Sequence, residues 1–241
     1  ARLRWPVPPD LAQVLLGQQL HEVQRRAKYL LLRFDRGTLL LHLGMSGSLR
    51  VLPAGTPAKL HDHLDLEFDG ATLLRLRDPR RFGAALWTED DPATHPLLRE
   101  LGPEPWDEAF SAEYLSALAA RRQGAVKNFL MDGHVVVGVG NIYASEALFR
   151  AGIRPGRQAR GLPRAECDRL AAAIRRVLAK AIEVGGTTLR DYVGADGNPG
   201  YFRQKLFVYE RAGEPCRKCG TPVRQRVQGQ RSTYWCPACQ K

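Results

Sequence analysis

Four cysteines stand near the end of the chain as Cys216-x2-Cys219 and, after sixteen intervening residues, Cys236-x2-Cys239. Two such knuckles a hairpin's length apart can place four thiolates tetrahedrally around one zinc ion. The alternative is redox chemistry, but a thioredoxin-like site uses a single Cys-x-x-Cys after a strand, not two at a tail. Because all four positions are protein thiolates, the expected zinc is structural: a catalytic zinc keeps a position open for water. From Tyr201 onward there are nine Lys/Arg and two Glu. A metal-stapled hairpin too small to fold by itself would hold those arginines on a fixed frame. Phosphate is the matching guest. Arg231 lies five residues before Cys236, and its guanidinium offers a bidentate fork that lysine cannot copy. The fifth cysteine, Cys167, sits three before Leu170 on an apolar stripe and reads as core.

A second stretch, VVVGVGNIYASEALF, puts Gly138, Gly140 and Asn141 ahead of a helix. A dinucleotide fingerprint would need a third glycine where Tyr143 stands. Two readings remain: backbone N–H groups and a helix N-terminus meeting a phosphate, or a plain tight turn capped by Asn141. His61 and His63 of HDH fall on one strand face, without an acidic or cysteine partner that would make them metal ligands. Lys28 opens an apolar run, the habit of a snorkelling edge residue. Met45 and Phe82, taken singly, read as core packing.

These residues need elements to hold them. KYLLLRF and TLLLHLGM flank Asp35-Arg36-Gly37, and HLDLEF alternates up to Asp69-Gly70 before ATLLRLR. Such runs around turn residues predict hairpins and an antiparallel sheet or sandwich. The texture changes near Gly102-Pro103. Ser111 reads as the N-cap of SAEYLSALAARR. A long helix follows, with Cys167, Leu170, Ile174, Val177, Leu178 and Ile182 on one stripe and Gly185-Gly186 as its stop. TTLRDYVGADGNPGYF is turn-rich and reads as a loop. The expected class is multi-domain α+β, with boundaries at 1–103, 104–204 and 205–241.

The chain has 241 residues, with 36 Lys+Arg against 25 Asp+Glu, a formal charge of +11. That surplus favours a polyanionic partner, nucleic acid first. No apolar run approaches the roughly 18–20 residues that span a bilayer, and ARLRWPVPPDL holds no apolar signal core. The expected location is the cytoplasm, in association with the nucleoid.

Taken together, QRRAKYLLL, HLGMSGSLR, HDHLDLEF, DPRRFGA, LGPEP, VGVGNIYASEALFRAGI, GGTTLRDYVGADGNPGYF and the cysteine module resemble the successive motifs of the formamidopyrimidine-DNA glycosylase and endonuclease VIII family. The resemblance implies an N-terminal β-sandwich, truncated here at its start, then a helix–two-turns–helix module with a lesion loop and a zinc finger. It implies a monomer that clamps double-stranded DNA, removes oxidised purines such as 8-oxoguanine and formamidopyrimidines, and cuts the abasic strand. A base must leave the duplex before its glycosidic bond can be attacked, and the gap is filled by a wedge. By motif match Met45, Arg80 and Phe82 form that wedge, which favours the formamidopyrimidine branch over endonuclease VIII. Asn141 and Arg231 should hold phosphates beside the lesion. His61, Arg80, Arg122 and Lys127 should contact DNA. Lys28 is linked to β-elimination and Arg231 to δ-elimination. An arginine stays charged at any usable pH, so Arg231 is expected to stabilise the departing phosphate electrostatically rather than donate a proton.

The family's nucleophile is an N-terminal proline amine followed by a glutamate. The sequence from Ala1 contains no such Pro-Glu start, so these residues alone are expected to bind DNA without turnover. The competing functions are a non-catalytic damage binder and a zinc-ribbon module of a transcription or translation factor. The last leaves DPRRFGA and VGVGNIYASE without a purpose.

Overall fold

The computed structural model describes residues 3–184 and 206–241. Two compact units divide at Arg99/Glu100, and the cysteine hairpin belongs to the second unit together with the helices. The turn-rich stretch from Thr187 to Phe202 and the stop at Gly185-Gly186 lie outside the described residues.

The first unit is a β-sandwich behind a short helix, α1 (Leu11–Leu15). One sheet has the order β1-β2-β3-β7, built from β1 (Leu20–Arg26), β2 (Tyr29–Phe34), β3 (Thr38–His42) and β7 (Ala84–Thr88). The other has the order β4-β6-β5, from β4 (Ser48–Pro53), β6 (Thr72–Arg77) and β5 (Asp62–Phe68). Neighbouring strands in both sheets run antiparallel. Side chains alternate across a strand, so Leu32, Phe34, Leu39 and Leu41 meet Leu76 of the opposite sheet in one cluster, with Leu49, Leu64, Leu66 and Leu74 packed around it. Leu31 and Leu40 pair directly on the other face and are buried as well. The Asp69-Gly70 turn behaves as its sequence predicts: both residues take positive φ, 50° and 64°, and β5 returns as β6.

One buried ion cluster shapes the path into this sheet. Arg75 on β6 faces Asp65 on β5 with two hydrogen bonds of 2.7 and 2.8 Å from Nη2 and Nε; Nη2 also donates to the Thr56 carbonyl and Nη1 to the Pro57 carbonyl. A guanidinium buried this way is stable only when its donors are satisfied. The bonds tie down the loop that delivers His61, a residue at φ 77°.

The second unit packs α2 (Ala112–Ala119), α3 (Val126–Met131), α4 (Asn141–Ala151) and α5 (Arg164–Glu183) with a hairpin of β8 (Arg224–Gln228) and β9 (Arg231–Trp235). Ser111 caps α2 as expected, its hydroxyl accepting the Tyr114 N–H at 3.2 Å. Along α5 the predicted stripe is buried from Cys167 to Leu178, so Cys167 is a core residue. Ile182 departs from it and is 67% exposed. In the last turn Ala181 takes the inward position, leaving Ile182 on the rim. The turn after α4 closes the module. Its Arg157 and Pro155 carbonyls accept the Val126 and Lys127 N–H groups at the start of α3, satisfying donors that a helix N-terminus leaves open. The chain's end is tied to the same turn through Lys241 N–H to Gly152 O and Gln240 Nε2 to Ile153 O.

Candidate DNA-contact and zinc sites

The four cysteine ligand atoms lie within 4.8 Å of one another. Cys216 and Cys239 Sγ are 4.0 Å apart, and Cys219 and Cys236 Sγ are 3.5 Å apart. Tetrahedral zinc with bonds of about 2.3 Å requires sulfur atoms about 3.8 Å apart. The set therefore fits one structural Zn2+ with no position left for a reacting water. Among the described residues this is the sole cluster with metal-ligand composition. His63 is engaged elsewhere, its Nε2 lying 2.9 Å from the Asp78 carbonyl.

Above the metal, β8 and β9 are joined by Gly229 and Gln230, both at positive φ, as a two-residue hairpin turn of this hand demands. Arg231 opens the return strand immediately after that turn and is exposed. Arg226 is already committed. Its guanidinium lies 5.5 Å from the Trp235 ring and donates to Gln228 Oε1 at 2.7 Å.

The Gly-rich turn leads into α4. Gly138 takes φ 81°, and the N-cap of α4 is Gly140, with no side-chain cap. The reading of Asn141 as a cap is corrected: it is the first helical residue, and its Nδ2 donates to the Tyr209 hydroxyl at 3.1 Å. Its Oδ1 is buried and has no partner among the described residues. Tyr209 is buried against Tyr234, ring centroids 5.0 Å apart. Burial raises its pKa, while the Asn141 bond and the nearby Arg231 charge oppose that rise. A helix N-terminus without a side-chain cap, an amide and a guanidinium thus gather around one tyrosine, a constellation that suits an anion.

Lys127 does not stand at this surface. Its side chain is 0% exposed, and its ammonium donates to Ser232 O at 2.9 Å and Thr233 Oγ1 at 2.7 Å. Burial, and then the Arg231 charge, push its pKa down to about 8. The sequence reading places Lys127 at the DNA; in the structure its cation is held beneath β9. Arg122 lies at the surface, 3.6 Å from Asp132, and Asp132 also holds His134 Nδ1 at 2.7 Å.

Sequence reasoning missed Glu146. This buried carboxylate on α4 accepts the N–H groups of Phe207, Val208 and Tyr209 at 2.9–3.1 Å and pairs with Arg150 at 2.9 Å. It fixes the segment that carries Tyr209. The available signal was an acid inside the apolar run ASEALF.

The first unit holds the other cluster. Met45 and Phe82 are 56% and 44% exposed, which excludes core packing for either. Arg80 stacks over Phe82 at 5.0 Å. Lys28 is exposed in the β1–β2 turn, and its charge helps to lower the pKa of His42, after burial.

Comparison with known proteins joins the pieces. Three family profiles match in succession: the formamidopyrimidine-DNA glycosylase N-terminal domain over residues 1–85, the formamidopyrimidine-DNA glycosylase H2TH domain over 101–193, and the zinc finger found in FPG and IleRS over 213–241. The chain is 62% identical over 240 residues to the formamidopyrimidine-DNA glycosylase of Thioalkalivibrio sulfidiphilus, covering 100% of this chain and 89% of that relative. It is 59% identical over 241 residues to that of Methylococcus capsulatus, with the same coverage. Among solved structures, MutM (Fpg) from Thermus thermophilus superposes with a TM-score of 0.84 at 43% identity, over 93% of this chain and 84% of the other. Lactococcus lactis Fpg in complex with DNA containing an abasic site gives 0.88 at 32% identity, over 96% and 86%.

Proposed function

The chain belongs to the formamidopyrimidine-DNA glycosylase family, and from that premise we propose that it serves base-excision repair by removing oxidised purines, 8-oxoguanine and formamidopyrimidines, from duplex DNA and cutting the abasic strand. The observation that carries this reading is the Asn141–Tyr209–Arg231 constellation at the N-terminus of α4. A flipped nucleotide is held by its flanking phosphates, and these groups offer the donors such phosphates take. Asn141 and Arg231 grip the backbone beside the lesion. Met45, Arg80 and Phe82 fill the space the base leaves, and their exposure supports it. His61 and Arg122 add backbone contacts.

In the cleavage steps, Lys28 assists β-elimination at the abasic sugar. Arg231 stabilises the phosphate departing in δ-elimination, with its fixed charge aimed at developing negative charge. Zinc supplies no chemistry; the thiolates hold the hairpin that aims Arg231. Work in the cytoplasm, on nucleoid DNA, as a monomer is part of the same proposal.

The experiment is a binding series with the 241-residue chain on duplexes that carry 8-oxoguanine, an abasic analogue or no damage. Tighter binding to the damaged duplexes is expected. Asn141→Ala should reduce that preference about tenfold or more, the loss of one charge-assisted contact. Equal affinity for all three duplexes would sink the reading.

A further inference from the structure

We propose that Asp78, acting with Ser46, is the positioning group that sets the two exposed probing loops in register. The inference rests on the reading of Met45, Arg80 and Phe82 as the inserting side chains. Those side chains sit on irregular loops, 43–47 and 78–83, outside the strand pairings of either sheet. The carboxylate of Asp78 ties the two loops together from beneath. It is fully buried. Its Oδ1 accepts the Ser46 hydroxyl at 2.8 Å and the Arg80 N–H at 3.3 Å, and its Oδ2 accepts the Gly83 N–H at 2.7 Å. Ser46 Oγ in turn accepts the Arg80 N–H at 3.3 Å.

One carboxylate therefore links the residue after Met45 with the backbone on both sides of Phe82. The backbone of Asp78 extends the tie to the start of β5. Its N–H donates to His61 O at 3.0 Å, and its carbonyl meets the Arg81 N–H at 3.2 Å and His63 Nε2 at 2.9 Å. The loops also touch main chain to main chain. A Cβ on Gly44 would lie 2.6 Å from the Phe82 carbonyl carbon, and one on Gly83 would lie 2.8 Å from His42 O. Glycine at both places lets the loops close until Ser46 reaches Asp78. Inserting side chains lose less on binding when their separation is set beforehand.

The test uses the 241-residue chain, a duplex with 8-oxoguanine and a neighbouring 2-aminopurine, whose fluorescence rises when a wedge unstacks it. Met45→Ala should abolish the rise. Ser46→Ala, which keeps the carboxylate and its other donors, should slow it about tenfold, with the salt slope of binding unchanged because phosphate contacts are intact. Asp78→Asn should slow it further; if that variant fails to fold, Ser46→Ala decides alone. In affinity for the lesion duplex, Ser46→Ala should weaken binding about tenfold in the parent and less than about twofold beside Met45→Ala, since residues acting through one another are non-additive. A parent-like rise in Ser46→Ala, or full additivity with Met45→Ala, overturns the role of Asp78 and leaves the wedge reading standing. A normal rise in Met45→Ala overturns the wedge reading and the inference with it.

Discussion

Arg231 begins β9 one residue after a turn whose two residues take positive φ. A guanidinium at that place has little backbone freedom to lose when it meets a phosphate, and it can engage two oxygen atoms at once. Arg224 and Arg226 lie on β8 of the same hairpin, but Arg226 already packs on Trp235 and holds Gln228. Arg231→Ala should therefore weaken binding to abasic DNA by about 1–3 kcal/mol, and Arg224→Ala and Arg226→Ala should cost clearly less. Titration of the three variants at one salt concentration checks this; equal losses would make them one diffuse basic patch. Glu146 makes a second case at this scale. Its carboxylate accepts three backbone N–H groups from Phe207 to Tyr209, and bonds to a charged acceptor contribute about 1.5–3 kcal/mol each. Glu146→Gln should lower the melting temperature by several degrees or more and loosen Tyr209. Thermal melts read the first effect and hydrogen exchange at the Phe207, Val208 and Tyr209 amides reads the second; an unchanged melt would show that the segment is held by other bonds.

At the scale of elements, what the sequence disclosed was local. The Asp69-Gly70 hairpin, the Ser111 cap and the Cys-x-x-Cys spacing each follow from residues within a few positions of one another. Asp78, Glu146 and Lys127 were opaque because their partners lie far along the chain: Ser46 is 32 residues from Asp78, and Thr233 is 106 from Lys127. A lysine in a basic protein reads as a surface contact, and only the packing of α3 under β9 turns it inward. That packing has a pH signature. The folded pKa of Lys127 is about 8, below the roughly 10.4 of an unfolded lysine. Between those values the unfolded chain holds the proton more tightly, so native stability rises with pH through this window. The gain is at most about 3 kcal/mol, from about 1.4 kcal/mol per pKa unit. Lys127→Met lacks the titration. It should be close to the parent in stability near pH 7, where the parent carries a buried charge, and fall behind it towards pH 10. Parallel melting curves across that range would remove Lys127 as the cause.

At the scale of the whole molecule, charge and metal act on the same outcome by different routes. The formal +11 draws the chain to DNA without reading damage, and that attraction is screened. A protein with about 6–10 phosphate contacts loses about 10³–10⁵ in affinity between 50 and 200 mM salt. The zinc site acts on the damage-specific part. The four thiolates anchor the hairpin that carries Arg231, and so small a module depends on its metal for its fold. The helices rest on their own core, with Leu115, Leu130, Leu148, Leu170 and Ile174 all buried. Chelation of zinc should therefore leave most of the helical circular dichroism signal in place. It should also remove the preference for abasic over undamaged DNA, while much of the salt-dependent, non-specific binding persists. Loss of helical signal in step with zinc would mean that helices and hairpin fold as one cooperative unit. Retention of the preference in the metal-free chain would mean that the hairpin's own bonds, Lys127 to Ser232 and Thr233 among them, are enough to aim Arg231.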